Sequence, residues 1–88
     1  MRMTFADVAG RFNGILDGSM TRDVADRWAW EAMKADEAGT LEITPAHDRP
    51  RIWRGLTYLF GVDMPDPTTG GYLDSEEDIR LAFNQITG

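Results

Sequence analysis

Eighty-eight residues, 42% of them hydrophobic and 10% aromatic, suffice for one domain built around one small core. Nine Lys+Arg against fifteen Asp+Glu leave a net charge of −6, which argues against tracking a nucleic-acid backbone or lying on an anionic membrane. Cysteine is absent, so disulfides, thiolate nucleophiles and thiolate metal sites are excluded, and no apolar run approaches the ~20 residues of a bilayer span. The start Met1-Arg2-Met3-Thr4 leads into a polar-interrupted segment without signal-peptide character, and a cytoplasmic location is expected.

Thr4 is placed to cap a first helix in which Phe5, Val8, Phe12, Ile15 and Leu16 recur with the period of one buried face, ended by Gly18. Gly10 and Gly14 interrupt it; each costs up to about 1 kcal/mol against alanine, so a backbone packed closely on this helix is expected there. Ser19 or Thr21 opens a second helix, with Asp23 suited to the positive end of its dipole and Gly39 as its stop. Its core stripe is Val24, Ala25, Trp28, Ala29, Ala32 and Ala35. Trp30 lies about 200° around the helix from Trp28 and, with Met33, begins a second apolar strip facing a different neighbour. The three tryptophans are assigned to the core, because so small a domain needs their surface to bury; an exposed Trp30 would instead lead the contact candidates.

Leu41 and Ile43 alternate with Glu42 and Thr44 before Pro45, which gives at most one short extended segment over 40–44. Pro50 fits the first turn of a third helix with the stripe Ile52, Trp53, Leu56, Leu59 and Phe60, ended by Gly61. Residues 62–72 hold Pro65, Pro67, Gly70 and Gly71 and make a loop of unusual length. Asp74 with Glu77 then forms a capping-box-like start to a fourth helix carrying Ile79, Ala82, Phe83 and Ile86, with Ser75 in its first turn. The expectation is an all-α, compact four-helix domain over residues 1–88, with a long loop between the third and fourth helices. Packing order and oligomeric state stay open.

Several side-chain groups carry potential chemistry. His47, the only histidine, adjoins Asp48, and a carboxylate can orient an imidazole for base catalysis. No nucleophile is recognisable beside it, so an exposed turn histidine is the simpler reading and no catalytic residue is assigned. Asp63, Asp66, Asp74, Glu76, Glu77 and Asp78 offer oxygens to a hard cation but lack the Asp-x-Asp-x-Asp-Gly spacing of a calcium loop; a solvated acidic edge without metal is expected. Gly70-Gly71 has neither a preceding strand nor a following lysine, so it is no phosphate cradle, and no cofactor is expected. Tyr72 and Leu73 behind it suit packing onto the core and projection toward a partner equally. Arg51, Arg54 and Tyr58 follow i, i+3, i+7 and have the composition of a binding hot spot; they either pair with the acidic loop or anchor an interface. Residues 49–60 carry three arginines and no acid, whereas residues 61–88 carry six acids and one arginine, so a basic helix between acidic segments is expected.

Leu73-Asp74-Ser75 resembles the Asp-Ser dipeptide that carries phosphopantetheine in acyl carrier proteins, but Ser75 precedes the last helix rather than the second and is followed by Glu76 where that family has an apolar residue. Small size, acidity, four helices and an acidic and aromatic loop from Asp63 to Asp78 resemble the small acidic helical immunity proteins of bacteria, cytoplasmic proteins that bind and neutralise a cognate toxin domain. The nuclease-colicin members of that class carry an Asp-Ser-Pro turn followed by paired tyrosines; here Asp74-Ser75 continues to Glu76 and Tyr72 stands alone. The resemblance implies a non-enzymatic, protein-binding role against a basic toxin-like partner, with Asp63, Asp66, Tyr72, Asp74, Glu76, Glu77 and Asp78 as the contact surface. One alternative is a homo-oligomeric structural or regulatory module, a homodimer for example, using Trp30 and Met33, with Arg51, Arg54 and Tyr58 as further interface residues. Another is a small hydrolase using His47.

Overall fold

In the computed structural model, which describes residues 1–88, the chain begins with a two-residue strand, β1 (Arg2–Met3). Thr4 stays extended, and its amide donates to Asp7 Oδ2 at 2.8 Å as α1 (Phe5–Asp17) starts. Gly18 ends α1 with φ 83°, a left-handed conformation that favours glycine. Thr21 leads into α2 (Arg22–Glu37), after which β2 (Glu42–Ile43) pairs in parallel with β1, Arg2 opposite Glu42 and Met3 opposite Ile43. The short extended segment near 40–44 therefore exists, and its partner is the stretch before α1, whose Met3 is buried to 1% exposure. A 3-10 turn at Ala46–Asp48 delivers α3 (Arg49–Leu59), with Pro50 in its first turn, and α4 (Glu76–Thr87) closes the chain. The fold is all-α, with four helices and this one small parallel pair.

One cluster of buried side chains joins the helices. Val8, Phe12 and Ile15 of α1 meet Ile52, Leu56 and Leu59 of α3 and Ile79 and Ile86 of α4. Phe12 is its centre, stacked on Tyr58 at 5.8 Å and on Phe83 at 5.0 Å between ring centroids. From α2 only Ala25, Ala29 and Ala32 are buried, so this helix packs through small side chains. α1 packs tightly against α3 at Gly55: a Cβ there would overlap Val8 Cγ1 and touch the Phe12 ring. That corrects the expectation for α1, because Gly10 faces open space, while a Cβ on Gly14 would meet Met20 Cβ, across the α1–α2 turn, at 3.0 Å.

Three residues expected in the core stripes are about half exposed: Val24 at 50%, Trp30 at 46% and Phe60 at 48%. Val24 and Trp30 flank the alanine row of α2, and Phe60 stands one residue past the end of α3, where an extended backbone breaks the helical period. Trp28 and Trp53 are half-buried, and the Arg11 guanidinium covers Trp28 at 4.2 Å. The start of α4 also shifts by one residue. Ser75 is the cap: its Oγ accepts the Asp78 amide at 3.1 Å and its own amide donates to Asp78 Oδ2 at 2.9 Å, leaving Asp74 outside.

Candidate functional site

The chain between α3 and α4 folds back as a small hairpin. Pro65 and Tyr72 stand opposite one another, the Asp66 amide donates to Gly71 O at 2.7 Å, and the Leu73 amide donates to Met64 O at 3.0 Å. In this register residue 65 is a position whose amide faces away from the partner strand, so proline sacrifices no bond. At the tip, Asp66 O accepts the Gly70 amide at 2.9 Å, with Gly70 at φ 77°, and Asp66 Oδ1 accepts the Thr68 amide at 2.8 Å. The Thr68 amide, reinforced by the Thr68 hydroxyl, holds the Asp66 carboxyl below the ordinary aspartate value.

A row of side chains on α2 fastens this segment to the helices. Arg22 donates through one terminal nitrogen to Asp74 O at 2.5 Å and to Val62 O at 3.3 Å, and its guanidinium carbon lies 4.1 Å from the Tyr72 ring centroid. One turn on, Asp26 Oδ1 accepts the Gly61 amide at 2.6 Å. A further turn on, Trp30 shares with Phe60 a groove of about 240 Å³, completed by Asp26, Arg27 and Glu31. Residues 22, 26 and 30 share a face because they are four apart. Around them Trp30, Phe60, Met64, Tyr72 and Leu73 are each about half exposed, an unusual amount of apolar surface for one segment and its support.

The acidic candidates differ in how much of each is free. Asp66 and Asp78 spend their carboxylates on the hairpin tip and the α4 cap. Asp63 and Asp74 are half-buried, and Asp74 gives its carbonyl to Arg22. Glu76 and Glu77, in the first turn of α4, are exposed and make no ion pair or side-chain hydrogen bond. Tyr72 is exposed on one side and covered by Arg22 on the other.

The second candidate set does not come together as one surface. Arg51 Nε donates to Asp48 Oδ1 at 3.0 Å and its guanidinium lies 3.9 Å from the Phe5 ring centroid, so it pairs internally, but not with the acidic loop. Arg54 is exposed without an ion pair and lines a separate groove with Thr57, Tyr58, Ala82, Gln85 and Ile86. Met33 is half-buried, which leaves Trp30 as the apolar member best placed to meet a partner. The cation that holds the loop is Arg22, which sequence reasoning missed together with Asp26. A signal existed: an arginine in the first turn of a helix opposes the dipole, so its presence calls for another use.

Burial raises Tyr58 to about 12, and the nearby Asp74 and Asp78 charges push in the same direction. Although Asp74 is near enough to act on its titration, the buried hydroxyl makes no hydrogen bond of acceptable geometry. The proton is held more tightly in the folded chain, so this contribution is intact below pH 10.0, the ordinary value, and is lost as pH rises toward about 12. Urea unfolding of Tyr58→Phe at pH 7 is expected to show equal or slightly greater stability, by up to about 1 kcal/mol, since an unpaired buried hydroxyl is removed. The variant also loses part of the alkaline destabilisation; an unchanged slope between pH 10 and 12 would contradict this.

His47 projects into solvent, its side chain 82% exposed, with Nε2 3.7 Å from Asp48 Oδ1. That carboxylate already accepts from Arg51, so it does not orient the imidazole. No three His, Asp or Glu side chains converge as a metal-holding group, and no helix is long and apolar enough to cross a membrane. No protein-family model, curated protein or solved structure matches this chain.

Proposed function

We propose that this protein is a non-enzymatic binding protein that neutralises or regulates a basic protein partner in the bacterial cytoplasm, in the manner of the small immunity proteins. The observation that supports this reading is the half-exposed apolar set on and beside the acid-bearing hairpin. Apolar side chains held outside the core supply contact area, and a loop already fixed by main-chain bonds loses little freedom on binding. The net charge of −6, with Glu76 and Glu77 unengaged, favours encounter with a cationic surface and acts on the association rate more than on final affinity.

Growth tests the immunity form of the reading. A strain lacking this protein is expected to be inhibited beside its wild-type siblings and rescued by the intact chain, but not by a Tyr72→Ala, Leu73→Ser double variant. Normal growth of the deletion strain beside those siblings would overturn it.

The exposure of Trp30 favours a second reading, self-association through α2. Light scattering at millimolar concentration decides it: a dimer that Trp30→Ala dissociates supports it, and a monomer rejects it.

A further inference from the structure

The three arginines of α3 differ in their counter-charges. Arg49 reaches Asp36 at 2.6 Å and Arg51 reaches Asp48 at 3.0 Å, so both are neutralised within the chain. Arg54 is exposed, makes no ion pair, and lines the groove of about 390 Å³ between α3 and α4. The other lining residues, Thr57, Tyr58, Ala82, Gln85 and Ile86, bring no charge at neutral pH, and residues 81–88 contain no acidic side chain. The Gln85 amide is also exposed and unbonded, whereas the Thr57 hydroxyl spends its proton on Arg54 O at 3.0 Å. Two free donors thus border an apolar floor. Beyond the Tyr58 ring the sign reverses: Asp74 and Asp78 lie close enough to act on the Tyr58 hydroxyl, two carboxylates against the single Arg22 cation.

We propose that this groove binds a small monocarboxylate with an apolar chain, its carboxylate on the Arg54 guanidinium and the Gln85 amide, its chain over Ala82, Ile86 and the Tyr58 ring. The site is separate from the hairpin, and its failure would leave the basic-partner reading untouched. Three features argue for this occupant. The volume of about 390 Å³ lies in the ~300–1,000 Å³ range of small-molecule sites. A guanidinium without a carboxylate of its own chain presents a planar fork of donors that matches a carboxylate, and the neighbouring amide adds one more. The carboxylates past Tyr58 repel a second negative charge at the far end of the ligand, which selects a monoanion over a dianion.

The test titrates the isotopically labelled full chain with octanoate, with octanamide, which keeps the shape but carries no charge, and with octanedioate, which carries two. Saturable shifts of the Ala82 and Ile86 methyl and Gln85 side-chain amide signals are expected with octanoate, with a dissociation constant on the order of a millimolar. Octanamide and octanedioate are expected to bind more weakly. Arg54→Gln, at an exposed position, is expected to weaken octanoate binding about threefold, whereas Arg54→Lys retains part of it. Gln85→Glu, which offers the guanidinium a carboxylate from its own chain, is expected to weaken it by a similar factor. Equal affinity for octanamide or octanedioate, or unchanged affinity in Arg54→Gln, overturns the assignment. Saturable shifts confined to other parts of the chain, or none at all up to about 20 mM octanoate, overturn it as well.

Discussion

Replacing Gly55 with alanine is expected to lower stability by about 1–2 kcal/mol, although alanine is the better helix former by about 1 kcal/mol. The added methyl would fall on Val8 Cγ1 and against the Phe12 ring, both on α1. Both Val8 and Phe12 are fully buried, and Phe12 is stacked on two rings, so neither moves without disturbing the rest of the core. Val8→Ala alone removes buried methyls and costs about 2 kcal/mol. In the double variant the new methyl enters the space that Val8 vacates. The two losses should therefore not add, and a favourable coupling of about 1–2 kcal/mol is expected from urea unfolding of the four-member cycle. Additive losses would mean that α1 and α3 do not meet at this point.

Arg22→Ala is expected to have the second large effect, and a local one. The side chain supplies two hydrogen bonds to main-chain carbonyls at opposite ends of the 62–74 segment and covers Tyr72. Its removal leaves those carbonyls unpaired and is expected to cost about 2 kcal/mol. Amide exchange should accelerate at Asp66 and Leu73, whose hydrogen bonds close the hairpin, with little change in the middle of α1 and α3. Arg22→Lys should recover less than half of the loss, because an ammonium cannot keep both carbonyls and the ring contact. Unchanged exchange in Arg22→Ala would show that the hairpin stands without α2.

The four helices were legible because their signals were local. Thr4, Gly18, Gly39, Pro50 and Gly61 punctuate the chain where the backbone changes direction, and the stripes of α1, α3 and α4 hold most of the buried residues. What escaped depended on distant partners. The strand at Glu42–Ile43 has its mate forty residues earlier, in a segment too short to show periodicity. Gly55 was the glycine that mattered, yet nothing local distinguishes it from Gly10, since the reason is a methyl on another helix. Trp30 and Phe60 fit apolar stripes by spacing, but spacing does not report whether a neighbour covers that side of the helix.

The candidate surface was legible in part. An acidic and aromatic loop between α3 and α4 follows from composition, but its hairpin and its attachment to Arg22 and Asp26 do not. The arginines of α3 were the evident choice for neutralising the loop. Arg51 is instead tied to Asp48 three residues before it, and Arg54 points into a separate groove. The hairpin is therefore held by an arginine forty residues upstream of Val62.

The most direct measurement is capture by the immobilised full chain from native extract of its source, repeated with the Tyr72→Ala, Leu73→Ser variant and at about 50 and 500 mM salt, a range over which screening of exposed charges rises steeply. One basic protein held stoichiometrically by the intact chain is expected, with slower association at high salt and loss of binding by the variant. Capture of no stoichiometric partner, or of one bound equally by the variant and indifferent to salt, would contradict it.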